Sequence, residues 1–122
     1  MSRISIRYAR PEFETHVGRL LDSLHIVPKN PELYILACVH RSVLNEAADG
    51  YAESNERLEY LGDAVLELVI TEALFYEFPE KTEGELTDIR SALVRGRNLA
   101  EIAHRLHFFH AIQVSRGEFN AK

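Results

Sequence analysis

Apolar residues recur at helical spacing between residues 55 and 77, with polar residues on the opposite side. At 100° per residue the apolar positions cover about a third of the helix circumference, which is typical of an amphipathic helix packed on a core. We therefore predict one long helix that ends before Pro79 and turns this apolar stripe toward the protein interior. The stripe consists of Leu58, Leu61, Val65, Leu68 and Val69.

The segments before this stretch predict two shorter helices. Residues 12–24 carry apolar side chains at helical spacing. Asn30 and Pro31 supply an N-cap and a first-turn proline for a helix that runs to about His40. Because His40 lies on the apolar face of that helix, we interpret it as a hydrogen-bonded core histidine. Residues 45–54 are small and polar, which predicts a loop.

The last third of the chain predicts two more helices. Thr82 and Glu85 form a capping box that opens one of them. Residues 99–106 form the other, after a break at Gly96 or Asn98. No stretch shows a convincing strand pattern, so the predicted fold class is all-α, with about five helices.

Length and composition bound the class of protein. A chain of 122 residues forms one domain, which we place at residues 1–122. Its one cysteine, Cys38, lies in an apolar helical pattern and is interpreted as a buried structural thiol. We find no signal-peptide pattern before Pro11, and the apolar run at 65–75 is too short and too acidic to cross a membrane. We therefore expect a cytoplasmic protein with no membrane partner.

The net charge of −5 is unevenly distributed. Residues 44–85 carry twelve acidic and two basic side chains, whereas residues 86–122 carry three acidic and six basic ones. An acidic centre flanked by basic segments suits an enzyme that holds cations centrally and phosphates at the edges. An ordinary acidic protein would show the same pattern, so the charge alone decides little.

Four carboxylates share the polar face of the predicted long helix: Glu56, Glu59, Asp63 and Glu67. Like charges four residues apart destabilise a helix by about 0.2–0.5 kcal/mol per pair, and no Lys or Arg lies four residues from Glu59 or Asp63. Gly62 costs a further 1 kcal/mol or so relative to alanine. A divalent cation such as Mg²⁺ between Glu59 and Asp63 would turn the repulsion into attraction. The pattern favours a metal site slightly over a solvated acidic face.

These residues also resemble the signature of the ribonuclease III family. Residues 56–64 read Glu-Arg-Leu-Glu-Tyr-Leu-Gly-Asp-Ala, and other family motifs follow in the same order and spacing, so that the likeness covers residues 11–118. The upstream motifs are Asn30-Pro31-Glu32-Leu33 and His40-Arg41-Ser42 with Asn45-Glu46. The downstream motifs are Phe78-Pro79, Glu83-Gly84-Glu85-Leu86, Arg90, Leu93-Val94 and Leu99-Ala100-Glu101-Ile102-Ala103.

The resemblance implies an all-helical endoribonuclease that cleaves double-stranded RNA in rRNA and mRNA maturation. It implies hydrolysis with Mg²⁺, or Mn²⁺ as a substitute, to 5′-phosphate and 3′-hydroxyl ends. Glu59 matches the first metal-ligand position, and Asp63 matches the catalytic acidic position one turn later. Both are therefore expected to be metal ligands and catalytic residues. Glu56 and Glu83 match subsidiary acidic positions in the family's catalytic valley.

The resemblance also implies partners. Family members work as homodimers, and Tyr60 matches an aromatic residue, more often Phe, that packs into the partner subunit. Duplex RNA would be recognised by its shape, through phosphates and 2′-hydroxyl groups. Arg95, Arg97 and Arg116 are candidate phosphate contacts, argued from their charge and position.

Two features of the family have no counterpart in this sequence. The second acidic pair, an Asp-x-x-Glu motif on a later helix, is missing, because no such motif follows Leu86. The usual double-stranded-RNA-binding domain is missing as well. We interpret the chain as a nuclease domain without its C-terminal helices. Two carboxylates alone form a weak Mg²⁺ site, so we expect poor Mg²⁺ binding and slow or no cleavage.

Three alternatives stay open at this point. The first is a non-catalytic ribonuclease III-like module that binds structured RNA. The second is a carboxylate-bridged di-iron bundle, suggested by Glu101-x-x-His104, although that architecture needs two such motifs. The third is a purely structural helical protein, which would leave the ordered series of motifs unexplained.

Overall fold

A computed structural model describes residues 11–45 and 53–115 of the chain. These ranges contain five α-helices and two short 3₁₀ helices, and their one β-type pairing is an isolated bridge between Val39 and Gln113. The predicted all-α class is confirmed. The helices are α1 (Pro11–Ser23), α2 (Pro31–Ala37), α3 (Glu56–Glu77), α4 (Glu83–Leu93) and α5 (Gly96–Arg105), with 3₁₀ helices at Arg41–Asn45 and Phe108–His110.

The chain divides into two compact units. The first unit comprises Met1–Leu58 and His107–Lys122, and the second unit comprises Glu59–Leu106. The assignment of residues 1–122 to a single domain stays a prediction. Within the described ranges, no helix is both long enough and apolar enough to cross a membrane.

The first unit encloses a hydrophobic core. Its helix α1 contributes three buried residues at the helical spacing that the sequence predicts, and Val39 is the largest side chain that is fully buried. The core therefore joins segments from the two ends of the described chain. The buried cluster consists of Val17, Leu20, Leu21, Cys38, Val39, Val43 and Ala111.

Cys38 is a free thiol inside this core, as predicted. Burial raises the pKa of the Cys38 thiol to about 11, because the apolar surroundings disfavour the charged thiolate. The side chain is therefore protonated at neutral pH, and it acts as a small apolar group rather than as a nucleophile.

Hydrogen bonds join residues of the first unit that are distant in sequence. The backbone N of His40 donates to the carbonyl of Gln113 over 2.9 Å, and the N of Gln113 donates to the carbonyl of Cys38 over 2.7 Å. The Ser42 Oγ lies 2.7 Å from His40 Nδ1 and accepts a hydrogen bond from the N of Ser115 at 2.9 Å. His40 is hydrogen-bonded, as predicted, but it is half-buried and belongs neither to α2 nor to the buried core cluster.

Helix α2 differs from its prediction at both ends. Pro31 occupies the first turn as expected, but the Asn30 side chain makes no capping hydrogen bond. The helix stops at Ala37 instead of continuing to His40. It stops because the next residues pair with Gln113, which local sequence cannot reveal.

In the second unit, α4 begins with the predicted capping box. The Thr82 hydroxyl accepts from the N of Glu85 at 3.3 Å, and the Glu85 carboxylate accepts from the N of Thr82 at 2.8 Å. The hydrogen bonds from Thr82 and the charge of Lys81 hold the pKa of Glu85 below its usual value. The predicted start of this helix is confirmed.

The break between α4 and α5 lies close to its predicted position. Helix α4 ends at Leu93 and α5 begins at Gly96, so the break precedes the glycine. The Asn98 side chain stabilises this turn, because its amide donates to the carbonyl of Leu93 over 2.7 Å.

The apolar stripe of α3 does not face a core among the described residues. Leu61, Val65, Leu68 and Val69 are 59%, 52%, 65% and 61% exposed, and Leu74 is the one buried residue of the helix. The prediction that this stripe faces the interior is wrong for these four residues in the part of the chain that the structure describes, whereas Leu58, at the start of the stripe, is half-buried. The helical period is correct, but periodicity shows only which residues share a face and not what covers that face.

Candidate functional site on helix α3

Hydrogen bonds join the residue before α3, where the signature sequence begins, to the end of α2 and the residues after it. The backbone N of Asn55 donates to the carbonyl of Val39 over 2.8 Å, and its side-chain amide donates to the carbonyl of Ala37 over 3.0 Å. The Ser54 hydroxyl donates to the Glu56 carboxylate at 3.2 Å. These contacts fix the first turn of the helix that carries the acidic face.

Two carboxylates of this acidic face are paired with arginines. Glu56 lies 3.7 Å from a guanidinium nitrogen of Arg41, and Glu67 lies 3.4 Å from one of Arg90. Arg90 also donates to the hydroxyl of Thr71 over 2.9 Å. These pairs relieve part of the like-charge repulsion that the sequence predicts along the helix.

Glu59 and Asp63 lie between the two paired carboxylates and have no such relief. Both are exposed, and neither forms an ion pair or a hydrogen bond in the part of the chain that the structure describes. They stand one turn apart on the same face of α3. An ionised carboxylate is only an acceptor, so the pair presents uncompensated negative charge to its surroundings.

The fit of this pair to a metal depends on how many ligands it offers. Among residues 11–45 and 53–115, no group of three or more His, Cys, Asp or Glu side chains could hold a metal ion. Glu83 therefore does not join Glu59 and Asp63; it is exposed in the first turn of α4. A two-carboxylate set fits Mg²⁺, because this ion keeps several waters and takes one or two carboxylates together with substrate phosphates.

A cavity of the second unit lies away from this pair. It has a volume of about 610 Å³ and is lined mainly by apolar groups such as Phe75, with Glu83 and Arg90 among the polar ones. Neither Glu59 nor Asp63 lines it. The candidate site is therefore an exposed helix face, which suits a large ligand such as a nucleic acid better than an enclosed small molecule.

Tyr60 and Gly62 occupy open surface beside the carboxylate pair. Tyr60 is 84% exposed, so the described residues cover neither its ring nor its hydroxyl. A Cβ atom added at Gly62 would meet nothing within 4 Å. The described residues thus give position 62 no steric reason to be glycine.

The candidate phosphate contacts lie at the start of α5. Arg95 and Arg97 are exposed, and no ion pair involves them in the described ranges. Arg116 lies outside the described residues. The role of all three arginines in binding phosphate stays a prediction.

The di-iron alternative finds no support on α5. Glu101 pairs with Arg105 one turn later, at 2.5 Å, which is the ordinary i,i+4 pair of a solvated helix. The described residues offer no group of three ligands around Glu101 and His104.

The sequence alone does not predict the pairing of Arg90 with Glu67. In the sequence Arg90 belongs to a family motif and Glu67 to the acidic face. The sequence does hold one signal, since Arg90 is the basic residue in the last turn of α4. Helical spacing cannot predict which carboxylate on another helix this side chain reaches.

Comparison with known proteins identifies close relatives. The profile of the ribonuclease III domain matches residues 56–121. Ribonuclease 3 of Clostridium botulinum (strain Eklund 17B / Type B) is 51% identical over 112 residues, which is 92% of this chain and 44% of that protein. Ribonuclease 3 of Carboxydothermus hydrogenoformans is 45% identical over 92 residues, which is 75% of this chain and 39% of that protein.

A solved structure shows the same fold. The nuclease domain of ribonuclease III from Campylobacter jejuni superposes with a TM-score of 0.75 at 39% identity. The superposition covers 85% of this chain and 68% of that one. The description of that structure concerns flexibility in a region involved in dimer formation. The present chain spans less than half the length of the two curated relatives it matches.

Proposed function

This chain belongs to the ribonuclease III family, and we propose that it forms part of a cytoplasmic endoribonuclease that cleaves double-stranded RNA. The reaction is Mg²⁺-dependent hydrolysis of a phosphodiester, with Mn²⁺ as a substitute ion, and it yields 5′-phosphate and 3′-hydroxyl ends. Its role is the maturation of rRNA and mRNA. The relatives named ribonuclease 3 support the reaction class.

One observation carries the assignment of the site. Of the four carboxylates on the acidic face of α3, Glu56 and Glu67 are paired with arginines, whereas Glu59 and Asp63 are unpaired in the described chain. Glu59 and Asp63 lie four residues apart on one helix face, where like charges repel each other and no arginine of the described residues relieves them. A cation held by both carboxylates would compensate that charge.

The proposed roles follow from the chemistry of the two side chains. Phosphodiester hydrolysis needs a water in line with the phosphorus and stabilisation of the leaving 3′-oxygen. Bound Mg²⁺ would supply Lewis-acid stabilisation of that charge. The Glu59 and Asp63 carboxylates would both hold the ion, and an Asp63 carboxylate oxygen also accepts a hydrogen bond from the attacking water and orients it. Glu56 and Glu83 act as subsidiary acidic groups.

Homodimerisation is part of the proposal. Tyr60 is 84% exposed and lies on the same helix as the uncovered apolar stripe, so an aromatic ring and an apolar surface are both available to a second copy. Tyr60→Ala should weaken self-association measured by sedimentation equilibrium, and Tyr60→Phe should preserve it. A chain that is monomeric at every concentration would contradict this part.

A cleavage assay tests the activity. A labelled long RNA duplex is incubated with excess protein at millimolar Mg²⁺, so that a slow enzyme is still detected. We expect slow, Mg²⁺-dependent cutting of the duplex that Asp63→Asn and Glu59→Gln reduce about a hundredfold or more. Glu67→Gln is the matched control, because it removes an arginine-paired carboxylate from the same face. Full-rate cleavage by Asp63→Asn would contradict the assignment.

A non-catalytic RNA-binding module is the second candidate. The specific observation in its favour is that no group of three or more ligating side chains occurs in the described ranges. Duplex binding with no cleavage at any Mg²⁺ concentration, and with no response to Asp63→Asn, would select this candidate over the first.

A further inference from the structure

A cavity of the first unit is lined by basic side chains that the proposed chemistry does not use. Its volume is about 320 Å³. The lining combines one face of α1 with the turn around the second 3₁₀ helix, and none of the described residues that line it is acidic. The lining residues are His16, Arg19, Leu20, Ser23, His107 and His110.

The four basic groups of this cavity are available to a ligand. His16, Arg19, His107 and His110 are exposed, and none of them forms an ion pair within the described ranges. The rings of His107 and His110 are stacked, with 6.5 Å between their centroids. The described lining thus combines four basic side chains and no carboxylate, in a chain whose net charge is −5.

The backbone at His107 contributes to the arrangement. Its φ is 61°, in the left-handed region that residues other than glycine rarely adopt. This conformation turns the chain from the end of α5 into the second 3₁₀ helix, so that His107 and His110 line the same cavity. A left-handed residue directly after the C-cap is a common way for a helix to end, here after Leu106.

We propose that this cavity binds a backbone phosphate of the RNA duplex. The proposal rests on the proposed function, because that function makes RNA the polyanion. A guanidinium group presents a fork of N–H donors that matches phosphate oxygens, and imidazole N–H groups add further donors. A metal ion does not fit the three histidines, since no group of three ligands in the described chain could hold one. Exposed lining groups suit a phosphate on a strand that passes over the surface.

Duplex binding measured by fluorescence anisotropy in EDTA tests the proposal without cleavage. Arg19→Gln should weaken binding about three- to tenfold and lower the slope of log affinity against log salt by about 1. Lys29→Gln is the matched control, because it removes one exposed positive charge of the same unit outside the cavity, and it should change affinity less than twofold. His107→Asn removes an imidazole while keeping a residue that tolerates the left-handed backbone, and it should also weaken binding.

NMR of the wild-type chain tests the same proposal without relying on variants that can misfold. When duplex is added, the imidazole NMR signals of His16, His107 and His110 should shift, and that of the hydrogen-bonded His40 should not. Equal affinities and salt slopes for Arg19→Gln and Lys29→Gln, with unshifted cavity histidines, would overturn the proposal alone. A chain that binds no duplex would overturn the proposed function as well. Displacement of the duplex by micromolar inorganic phosphate would reveal a free-anion site and also contradict the assignment to RNA.

Discussion

The two units of this chain treat apolar surface in opposite ways. The first unit buries it, and Val39 and Ala111 are 0% exposed in a core built from both ends of the described chain. In the second unit Leu74 is the one buried hydrophobic residue, while the four stripe residues of α3 that belong to this unit are more than half exposed. The first unit is therefore organised by its own contacts, whereas the second leaves apolar surface that the described residues do not cover.

The proposed site and the uncovered apolar surface lie on the same helix, α3. The unpaired carboxylates Glu59 and Asp63 belong to the same unit as the uncovered apolar stripe. The local order of this unit comes from a capping box, a side-chain turn at Asn98 and surface ion pairs. Such contacts shape helices, but each contributes about 1 kcal/mol or less. Burial of the stripe in an assembly would add stability that the described residues do not supply.

The sharpest test of this contrast compares the same substitution in both units. Val39→Ala should lower the free energy of unfolding by about 2 kcal/mol, because it removes fully buried methyl groups and leaves a cavity. Val65→Ala, at a side chain that is 52% exposed, should change it by no more than about 0.5 kcal/mol. Urea denaturation at low protein concentration measures both. An equal loss for Val65→Ala would show that the stripe is covered in solution.

Gly62 gives a smaller effect of opposite sign. Its helical position has open space around it, so Gly62→Ala should raise the free energy of unfolding by up to about 1 kcal/mol through helix propensity. If RNA or a second copy approaches this backbone closely, the same change should weaken duplex binding or self-association. Gly84→Ala, also in a helix, is the comparison variant. A destabilised Gly62→Ala chain would contradict the open surroundings.

The smallest effect concerns the capping box of α4. Because the folded state lowers the pKa of Glu85, its contribution to stability is present above the unfolded pKa and is lost as the pH falls through the folded pKa. Glu85→Gln keeps a capping side chain without the titration. The wild-type chain should therefore lose slightly more stability than Glu85→Gln on acidification below pH 4.5. Parallel losses would refute this contribution.

Local sequence predicts those features that depend on neighbouring residues. The capping box of Thr82 and Glu85 was predictable because both partners lie within one turn. The helical period places Glu59 and Asp63 on one face for the same reason. The end of α2 was not predictable, because it depends on a pairing with Gln113 far along the chain. The exposure of the α3 stripe was not predictable either, because the helical period shows which residues share a face but not what packs against it.

The ion pairs of α3 show the same limit within the site. In the sequence the four carboxylates form one helix face, and no Lys or Arg lies four residues from Glu59 or Asp63. Arg41 and Arg90 lie outside α3, so their pairing with Glu56 and Glu67 required the fold. In the folded chain Glu56 and Glu67 therefore have arginine partners, and Glu59 and Asp63, which lie between them, have none among the described residues.

The measurement that tests the central claim most directly is paramagnetic broadening of backbone amide signals by Mn²⁺, reversed by excess Mg²⁺. It reports binding of the ion at residue resolution and does not depend on turnover. We predict broadening centred on Glu59 and Asp63, its loss in Asp63→Asn, and its retention in Glu67→Gln. Broadening centred on Glu67, or unchanged broadening in Asp63→Asn, would contradict the assignment of the metal to this pair.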